Sequence, residues 1–187
     1  DTIYLGNGNV DYVVDELGKT TDYGYDSLGR MTTVLDPLLH ATSFEYNAVG
    51  NRTLTTDAEG VSTRYEYDGL DRLQAVVENY RLGFAPDHET NVRTEYTYDA
   101  GGNRLSILDG NNHSTVFTYS PFGQVETETD ALGNDYVYTY DSIGNRRTMT
   151  DANDALTVFE YDELNRLVSI NYPNPTAHVS FEYDALG

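Results

Sequence analysis

The sequence predicts an all-β fold built from antiparallel β-hairpin repeats, and three observations carry this prediction. A phrase of two aromatic residues followed by a turn signal recurs along the chain, as in "YGYDSLGR" at 23–30 and "YTYDSIGNR" at 138–146. The phrase returns with a period of 21 residues. Between the turn signals lie segments of about six residues, the usual length of a strand, and they are rich in residues that favour strands.

The second aromatic residue of the phrase marks the period, because successive copies lie 21, 21, 31, 21, 21, 21 and 22 residues apart. These residues are Tyr25, Tyr46, Tyr67, Tyr98, Tyr119, Tyr140, Tyr161 and Tyr183. A further step of 21 residues back from Tyr25 reaches Tyr4, so a degenerate repeat opens the chain. An acidic residue halfway between the tyrosines follows the same period, which makes the repeat secure.

Two turns are predicted in each repeat. The first follows the tyrosine, as in Asp26–Gly29 and Asp141–Gly144, and the second lies halfway round, as in Asp15–Gly18. Aspartate at the first position accepts hydrogen bonds from backbone amides further along, and glycine at the fourth tolerates a positive φ. Asn or Asp replaces this glycine in some repeats and tolerates the same conformation, whereas Leu39 breaks the rule.

The strand before the first turn alternates with a period of two. Thr42, Phe44 and Tyr46 share one face, and Ser43 and Glu45 share the other. Stacked repeats would therefore align the aromatic rings in rows across the sheet. We interpret these rows as packed rings; a sugar-binding stripe would require that the rings be exposed.

Neighbouring repeats alternate in the residues after the first turn. One type has Arg or Gln directly after the turn, followed by an apolar residue, as in Arg30-Met31; the other has Asn followed by Arg, as in Asn51-Arg52. A shift of one residue places arginine on the opposite face of a strand. The building block is therefore predicted to be a pair of repeats of about 42 residues, in which arginine pairs with the motif aspartate or lies over a tyrosine ring.

Composition narrows the functional classes. The chain of 187 residues has 31 acidic and 11 basic residues, and its net charge of −20 repels phosphate backbones and anionic membranes. We therefore expect no nucleic-acid partner and no membrane insertion. The four histidines show no metal-ligand spacing, and cysteine is absent. The sequence predicts no catalytic residue, no metal site and no cofactor, and hence no enzyme.

One stretch, "NYRLGFAPDHETNV" at 79–92, lies outside the repeat pattern. We expect it to form a loop or a longer hairpin. Because loops carry function more often than the elements they connect, it is also a candidate contact site.

The phrase Y-x-Y-D-x-x-G-R, with a second D-x-x-G halfway, resembles the YD-repeat or RHS-repeat family over nearly the whole chain. Asn47 and Ser120 depart from the motif at aspartate, and Asp71 and Asn165 depart from it at glycine. The predicted structural motif residues are Tyr25, Asp26, Gly29, Arg30, Tyr46, Gly50, Arg52, Tyr67, Asp68, Arg72, Tyr98, Asp99, Gly102, Arg104, Tyr119, Gly123, Tyr140, Asp141, Gly144, Arg146, Tyr161, Asp162, Arg166, Tyr183 and Asp184.

The resemblance implies a continuous curved sheet that forms a spiral shell or tube segment of a large secreted or cell-surface protein. In toxins of this family the shell encloses a C-terminal toxic domain, and teneurins are adhesion proteins. Some members cleave themselves at Asp-Pro-x-Gly motifs. The only Asp-Pro here, Asp36-Pro37, lacks the glycine, so we do not carry cleavage over.

From these observations we expect residues 1–187 to be a single repeat array, itself part of a larger array, with no activity of its own. Its expected partners are adjoining repeats of the same or neighbouring chains and an enclosed toxin domain. One alternative is a carbohydrate-binding or adhesion module that uses exposed tyrosines or residues 79–92 to bind glycans. Another is a self-assembling extracellular fibre or tube.

Overall fold

The computed structural model describes residues 1–174 and 177–184, and within these ranges the chain forms seventeen strands and no helix. The prediction of an all-β fold made of antiparallel hairpins is confirmed. The turn expected after Tyr183, at 184–187, falls mostly outside the described residues. No helix in the described part of the chain is long and apolar enough to cross a membrane.

Contacts divide the chain into two units, of which the first comprises residues 1–95. Every strand in it pairs antiparallel with the next strand in the chain. The strands are β1 (Thr2–Tyr4), β2 (Val10–Val14), β3 (Thr20–Tyr25), β4 (Met31–Leu35), β5 (Ala41–Tyr46), β6 (Arg52–Thr56), β7 (Ser62–Tyr67), β8 (Leu73–Glu78) and β9 (Val92–Tyr98), the last of which continues beyond residue 95.

The second unit begins at residue 96 and follows the same plan of consecutive antiparallel pairs. After the end of β9 its strands are β10 (Arg104–Leu108), β11 (Ser114–Tyr119), β12 (Val125–Thr129), β13 (Asp135–Tyr140), β14 (Arg146–Thr150), β15 (Leu156–Tyr161), β16 (Leu167–Asn171) and β17 (His178–Ser180).

Two kinds of turn connect the strands. Those that follow the motif tyrosine are called motif turns here, and those halfway round are called return turns. The motif turns are residues 26–29, 47–50, 68–71, 99–102, 120–123, 141–144 and 162–165, with a degenerate turn at 5–8. The return turns are residues 15–18, 36–39, 57–60, 109–112, 130–133 and 151–154.

Few side chains are buried. Among the described residues only Ala75, Val77, Asn91 and Thr157 are buried. Ala75 lies between Glu66 and Glu95 in the strand register, and its small side chain leaves room for an ion pair across it. The Arg93 guanidinium donates to the Glu66 carboxylate at 2.8 Å.

Residues 79–91 form the loop between β8 and β9, and the buried Asn91 side chain binds the backbone of this loop. The Asn91 side chain accepts a hydrogen bond from the Arg81 amide at 2.7 Å and donates one to the Phe84 carbonyl at 2.8 Å. The Tyr80 amide donates to the Ser62 carbonyl of β7 at 2.7 Å. The loop is therefore held at both ends, while Leu82 and Phe84 are exposed.

Candidate functional site: the motif turn and its tyrosine

The motif turn is closed by four hydrogen bonds that all involve one aspartate. In the turn at 26–29, the Gly29 amide donates to the Asp26 carbonyl at 3.0 Å, and the Asp26 amide donates to the Arg30 carbonyl at 2.9 Å. The Asp26 carboxylate oxygen Oδ1 also accepts from the amides of Leu28 and Arg30 at 2.9 and 3.0 Å. This is the hydrogen-bonding of a short hairpin loop that ends in a left-handed residue.

The fourth residue of each turn has a positive φ, as the turn requires. Gly29 and Gly144 have φ angles of 76° and 101°. Asp71 and Asn165 adopt φ angles of 61° and 62°, which these residue types tolerate. Leu39 adopts a φ of 68° in a return turn, where a branched apolar side chain is strained.

The second carboxylate oxygen of the motif aspartate binds the residue that follows the turn. Arg30 donates from Nε to Asp26 at 2.7 Å, and in the other repeat type Asn103 donates from its side chain to Asp99 at 2.8 Å. Arg72 and Arg166 repeat the first contact, and Asn145 repeats the second. The Arg30 backbone amide, and then its side chain, hold the pKa of Asp26 below its usual range.

The motif tyrosine connects its hairpin to the preceding one. The Tyr140 hydroxyl donates to the Val125 carbonyl at 2.8 Å. The ladder between β12 and β13 ends at the pair Thr127 and Val137, so this carbonyl lies beyond its end and receives a donor from the side chain instead. Equivalent bonds join Tyr46 to Met31, Tyr67 to Arg52, Tyr119 to Arg104 and Tyr183 to Leu167.

A β-bulge accompanies each motif turn whose strand register is known. In the hairpin of β13 and β14, Tyr140 lies opposite Arg146 and Thr139 lies opposite Thr148, so Arg147 is an extra residue. The same shift occurs in the pairs β3–β4, β5–β6, β7–β8, β11–β12 and β15–β16. A bulge bends the strand locally and increases its twist, and here it sits beside the carbonyl that the tyrosine binds.

The arginines of the two repeat types occupy different environments. Arg30 lies over the ring of Tyr46, the next motif tyrosine, at 4.8 Å. Arg146 of the second type instead lies between two rings of the other aromatic position, at 5.0 Å from Tyr138 and 5.9 Å from Phe159. Arg52 and Arg104 have the same kind of placement as Arg146, and Arg166 over Tyr183 has that of Arg30.

Side chains also link one motif turn to the next. An Arg30 guanidinium nitrogen donates to the Asn47 carbonyl at 2.9 Å, and the Gln124 side chain donates to the Gly144 carbonyl at 3.3 Å. Asn51 donates to the Asp71 carboxylate at 3.1 Å. In the first unit these bonds connect the turns at 26–29, 47–50 and 68–71 in a row, and in the second unit such a bond connects the turn at 120–123 to the turn at 141–144.

The motif residues that depart from the consensus keep the turn geometry. The Asn47 side-chain oxygen accepts from the amides of Val49 and Asn51 at 3.2 and 2.9 Å, as a motif aspartate does. Ser120 makes longer bonds of 3.2 and 3.3 Å.

The Tyr25 and Tyr161 hydroxyls have no hydrogen-bond partner within residues 1–174 and 177–184.

Sequence reasoning missed the tyrosine-to-carbonyl bond and the bulge. A signal for the first was present, because the second aromatic residue is always tyrosine, whereas the first is tyrosine or phenylalanine. Only the second position needs a hydroxyl. The polar side chains of the motif thus form hydrogen bonds to backbone groups: the aspartate accepts from amides, and the tyrosine donates to a carbonyl. The described residues contain no group of three or more His, Asp or Glu side chains that could hold a metal ion.

Comparison with known families agrees with this geometry. The family model "RHS Repeat" matches residues 4–38, 41–81, 119–156 and 140–177, which together make up more than half of the chain. The chain belongs to the RHS repeat family. No curated protein matches it in sequence.

Solved structures that resemble the chain include three Tc toxin assemblies. They are TcdB2-TccC3-Cdc42 (18% identity, TM-score 0.45), TcdB2-TccC3 without its hypervariable C-terminal region (17%, 0.46) and the Photorhabdus luminescens Tc holotoxin pore (17%, 0.45). Each match covers 100% of this chain and 14% of the other. The chain therefore spans about a seventh of the length of these proteins.

Proposed function

We propose that the chain is a non-catalytic wall segment of a larger RHS-repeat structure. In this proposal residues 1–187 form one array whose neighbours are further repeats of the same polypeptide. The observation that carries the proposal is the use of the motif residues: tyrosine, aspartate and arginine all bind the turn itself or the adjoining hairpin. The same contacts recur along the chain, whereas a binding or catalytic site would be local.

The wall would enclose another part of the parent polypeptide. The family resemblance, and not a contact within this chain, is the source of this part of the proposal. The resemblance equally supports a secreted or cell-surface location and a toxin domain as the enclosed partner. A high negative charge suits a wall that must stay soluble, since like charges keep such surfaces apart.

Limited proteolysis of the parent polypeptide tests this function. If the array is a wall, the enclosed segment resists protease in the wild type and becomes sensitive when Tyr140→Phe and Asp141→Ala together loosen one hairpin. Tyr161→Phe is the matched control, because the Tyr161 hydroxyl has no partner in the described part of the chain. Equal digestion of the enclosed segment in the wild type and the double variant would refute the proposal.

The carbohydrate-binding alternative stays a prediction, and the structure sets a condition on it. Guanidinium groups lie over rings in the aromatic rows, as Arg52 does over Tyr65 at 5.0 Å. A sugar that stacks on these rings has to compete with the arginines. Glycan binding that vanishes when the rings are replaced would favour this alternative.

A further inference from the structure

One cleft in the second unit has no counterpart of the same composition elsewhere in the repeats. It has a volume of about 470 Å³, within the roughly 300–1,000 Å³ that is usual for small-molecule sites. The ladder between β14 and β15 ends at the pair Thr148 and Val158, and most of the cleft residues lie beyond this end. The lining residues are Asp141, Arg147, Phe159, Glu160, Tyr161 and Val168.

Arg147 gives the cleft a positive charge that the equivalent positions of other repeats lack. It is the extra residue of the bulge between β13 and β14, and a bulge changes the direction of a side chain. The extra residues in the other motif hairpins of known register are Thr32, Thr53, Gln74, Glu126 and Val168. None of these is basic, so the cation belongs to this cleft and not to the repeat motif.

The Arg147 guanidinium is available to a ligand. The side chain is exposed, and it forms no ion pair, hydrogen bond or ring contact with the described residues. Its neighbour Arg146 differs in this respect, because that guanidinium lies over the rings of Tyr138 and Phe159. The fold therefore uses the charge of Arg146 and leaves that of Arg147 without a partner.

The Tyr161 hydroxyl is a second available donor. Four other motif tyrosines donate to the carbonyl of the residue fifteen positions earlier, as Tyr140 does to Val125. For Tyr161 that residue is Arg146, and no such bond exists in the part of the chain that the structure describes. Because Tyr161 lines the cleft, its hydroxyl can serve a ligand where the other motif tyrosines serve the backbone.

The carboxylates at the cleft, by contrast, already accept hydrogen bonds. Asp141 accepts from the amides of Ile143 and Asn145 at 3.0 and 2.9 Å, and from the Asn145 side chain at 3.0 Å. Glu160 accepts from the Ser169 hydroxyl at 2.7 Å. Each carboxylate is thus engaged, whereas the two donors are not, so a ligand that supplies acceptor oxygens completes the hydrogen bonding of the cleft.

We propose that this cleft binds a small monocarboxylate with an apolar body. The planar guanidinium of Arg147 matches a carboxylate through two parallel N–H···O bonds, and the Tyr161 hydroxyl adds a further donor. Phe159 and Val168 offer apolar contact to the rest of the ligand. This site goes beyond the wall function, because it depends on residues that the repeat motif does not specify.

The charges around the cleft favour a single negative charge on the ligand. Asp141 and Glu160 place two carboxylates on the wall that also holds one guanidinium. Their repulsion of a ligand grows with the charge that the ligand carries. A carboxylate is therefore preferred to a doubly charged phosphate.

Titration of the chain with sodium 3-phenylpropionate, followed by nuclear magnetic resonance of the backbone amides, tests the proposal. We expect saturable shifts of the amides of Arg147, Tyr161 and Val168, with a dissociation constant on the order of 1 mM for a ligand of this size. 3-Phenylpropionamide keeps the shape without the charge, and 3-phenylpropylamine reverses the charge. Both compounds, and inorganic phosphate, should bind about tenfold more weakly or less.

Two substitutions separate the donors. Arg147→Thr introduces the residue that stands at the equivalent position 53, and it should weaken the binding of 3-phenylpropionate about tenfold or more. Tyr161→Phe should weaken it about threefold, as expected for one hydrogen bond. The matched control is Arg81→Thr, which removes an exposed arginine that does not line the cleft and should leave the dissociation constant unchanged.

The map of amide shifts in the unsubstituted chain does not depend on the folding of any variant. Shifts that are absent, or that scatter over the chain instead of gathering at the cleft, would overturn the proposal. Binding of the amide, the amine or phosphate as tightly as the carboxylate would overturn it too, as would an equal loss of binding in Arg147→Thr and Arg81→Thr.

Discussion

Removing one motif hydroxyl isolates the bond between neighbouring hairpins. Tyr140→Phe deletes the donor to the Val125 carbonyl at 2.8 Å and keeps the ring. The carbonyl lies beyond the end of the ladder between β12 and β13, so no neighbouring amide of that ladder replaces the lost donor. Tyr140 and Val125 are both half-buried, so water can partly replace the lost donor to the carbonyl.

The expected cost follows from these contacts. A net hydrogen bond contributes about 0.5–1.5 kcal/mol, and partial access of water to the freed carbonyl places the loss near 1 kcal/mol. For a chain of this length, that loss lowers the melting temperature by about 2–4 °C. The strand pairing itself is unchanged, because the hydroxyl takes no part in it.

Urea unfolding followed by circular dichroism measures the loss, and Tyr161→Phe is the control. Tyr161 occupies the equivalent position, but its hydroxyl has no partner in the described ranges, so its replacement should change the free energy of unfolding by much less. Equal losses in the two variants, or no loss in Tyr140→Phe, would refute the role assigned to the hydroxyl.

Three further predictions concern the turns. Asp68→Ala should lower the urea midpoint, since several bonds to the carboxylate are lost. Asp68→Asn should lower it less, because Asn47 closes the equivalent turn at 47–50 with the same two amide bonds. Equal midpoints for the two variants would contradict this. Leu39→Gly should raise stability by about 1 kcal/mol by relieving a left-handed leucine whose side chain is 75% exposed, and an unchanged or lower melting temperature would contradict it. The pKa of Asp26, Asp68 and other turn aspartates lies below its usual range, so the unfolded chain binds more protons near pH 4. The stability that these aspartates contribute is complete above about pH 4 and is lost as the pH falls through their lowered pKa in the folded chain. A urea midpoint that stays constant from pH 5 down to acid unfolding would contradict this prediction.

Much of the fold was predictable because local signals agree at every repeat. The period, the aspartate and glycine of each turn, and the alternation in the strands all indicate the same hairpin. The alternation of Arg30-type and Arg52-type repeats likewise predicted two environments, and the structure places these arginines over rings of different aromatic positions.

Other features depend on contacts between repeats and were not predictable from one repeat. The extra residue Arg147 leaves the spacing of the motif unchanged, so the bulge has no signature of its own. The donor and the acceptor of the bond from Tyr140 to Val125 lie in neighbouring hairpins. The pattern within one repeat therefore does not indicate the bond. The ion pair over Ala75 depends on register across three strands, and the sequence does not state that register.

The most direct test of the central claim is amide hydrogen exchange resolved by residue with nuclear magnetic resonance. The claim is that the side chain at the first position, which is aspartate in most motif turns, closes each of these turns by accepting backbone amides in the same way. The amides of Leu28, Ile143 and Leu164 belong to exposed turn residues but donate to a motif aspartate. We predict that they exchange slowly, with protection that recurs every 21 residues within each unit. Exchange of these amides at the rate of an unfolded peptide, in a chain whose strands are protected, would contradict it.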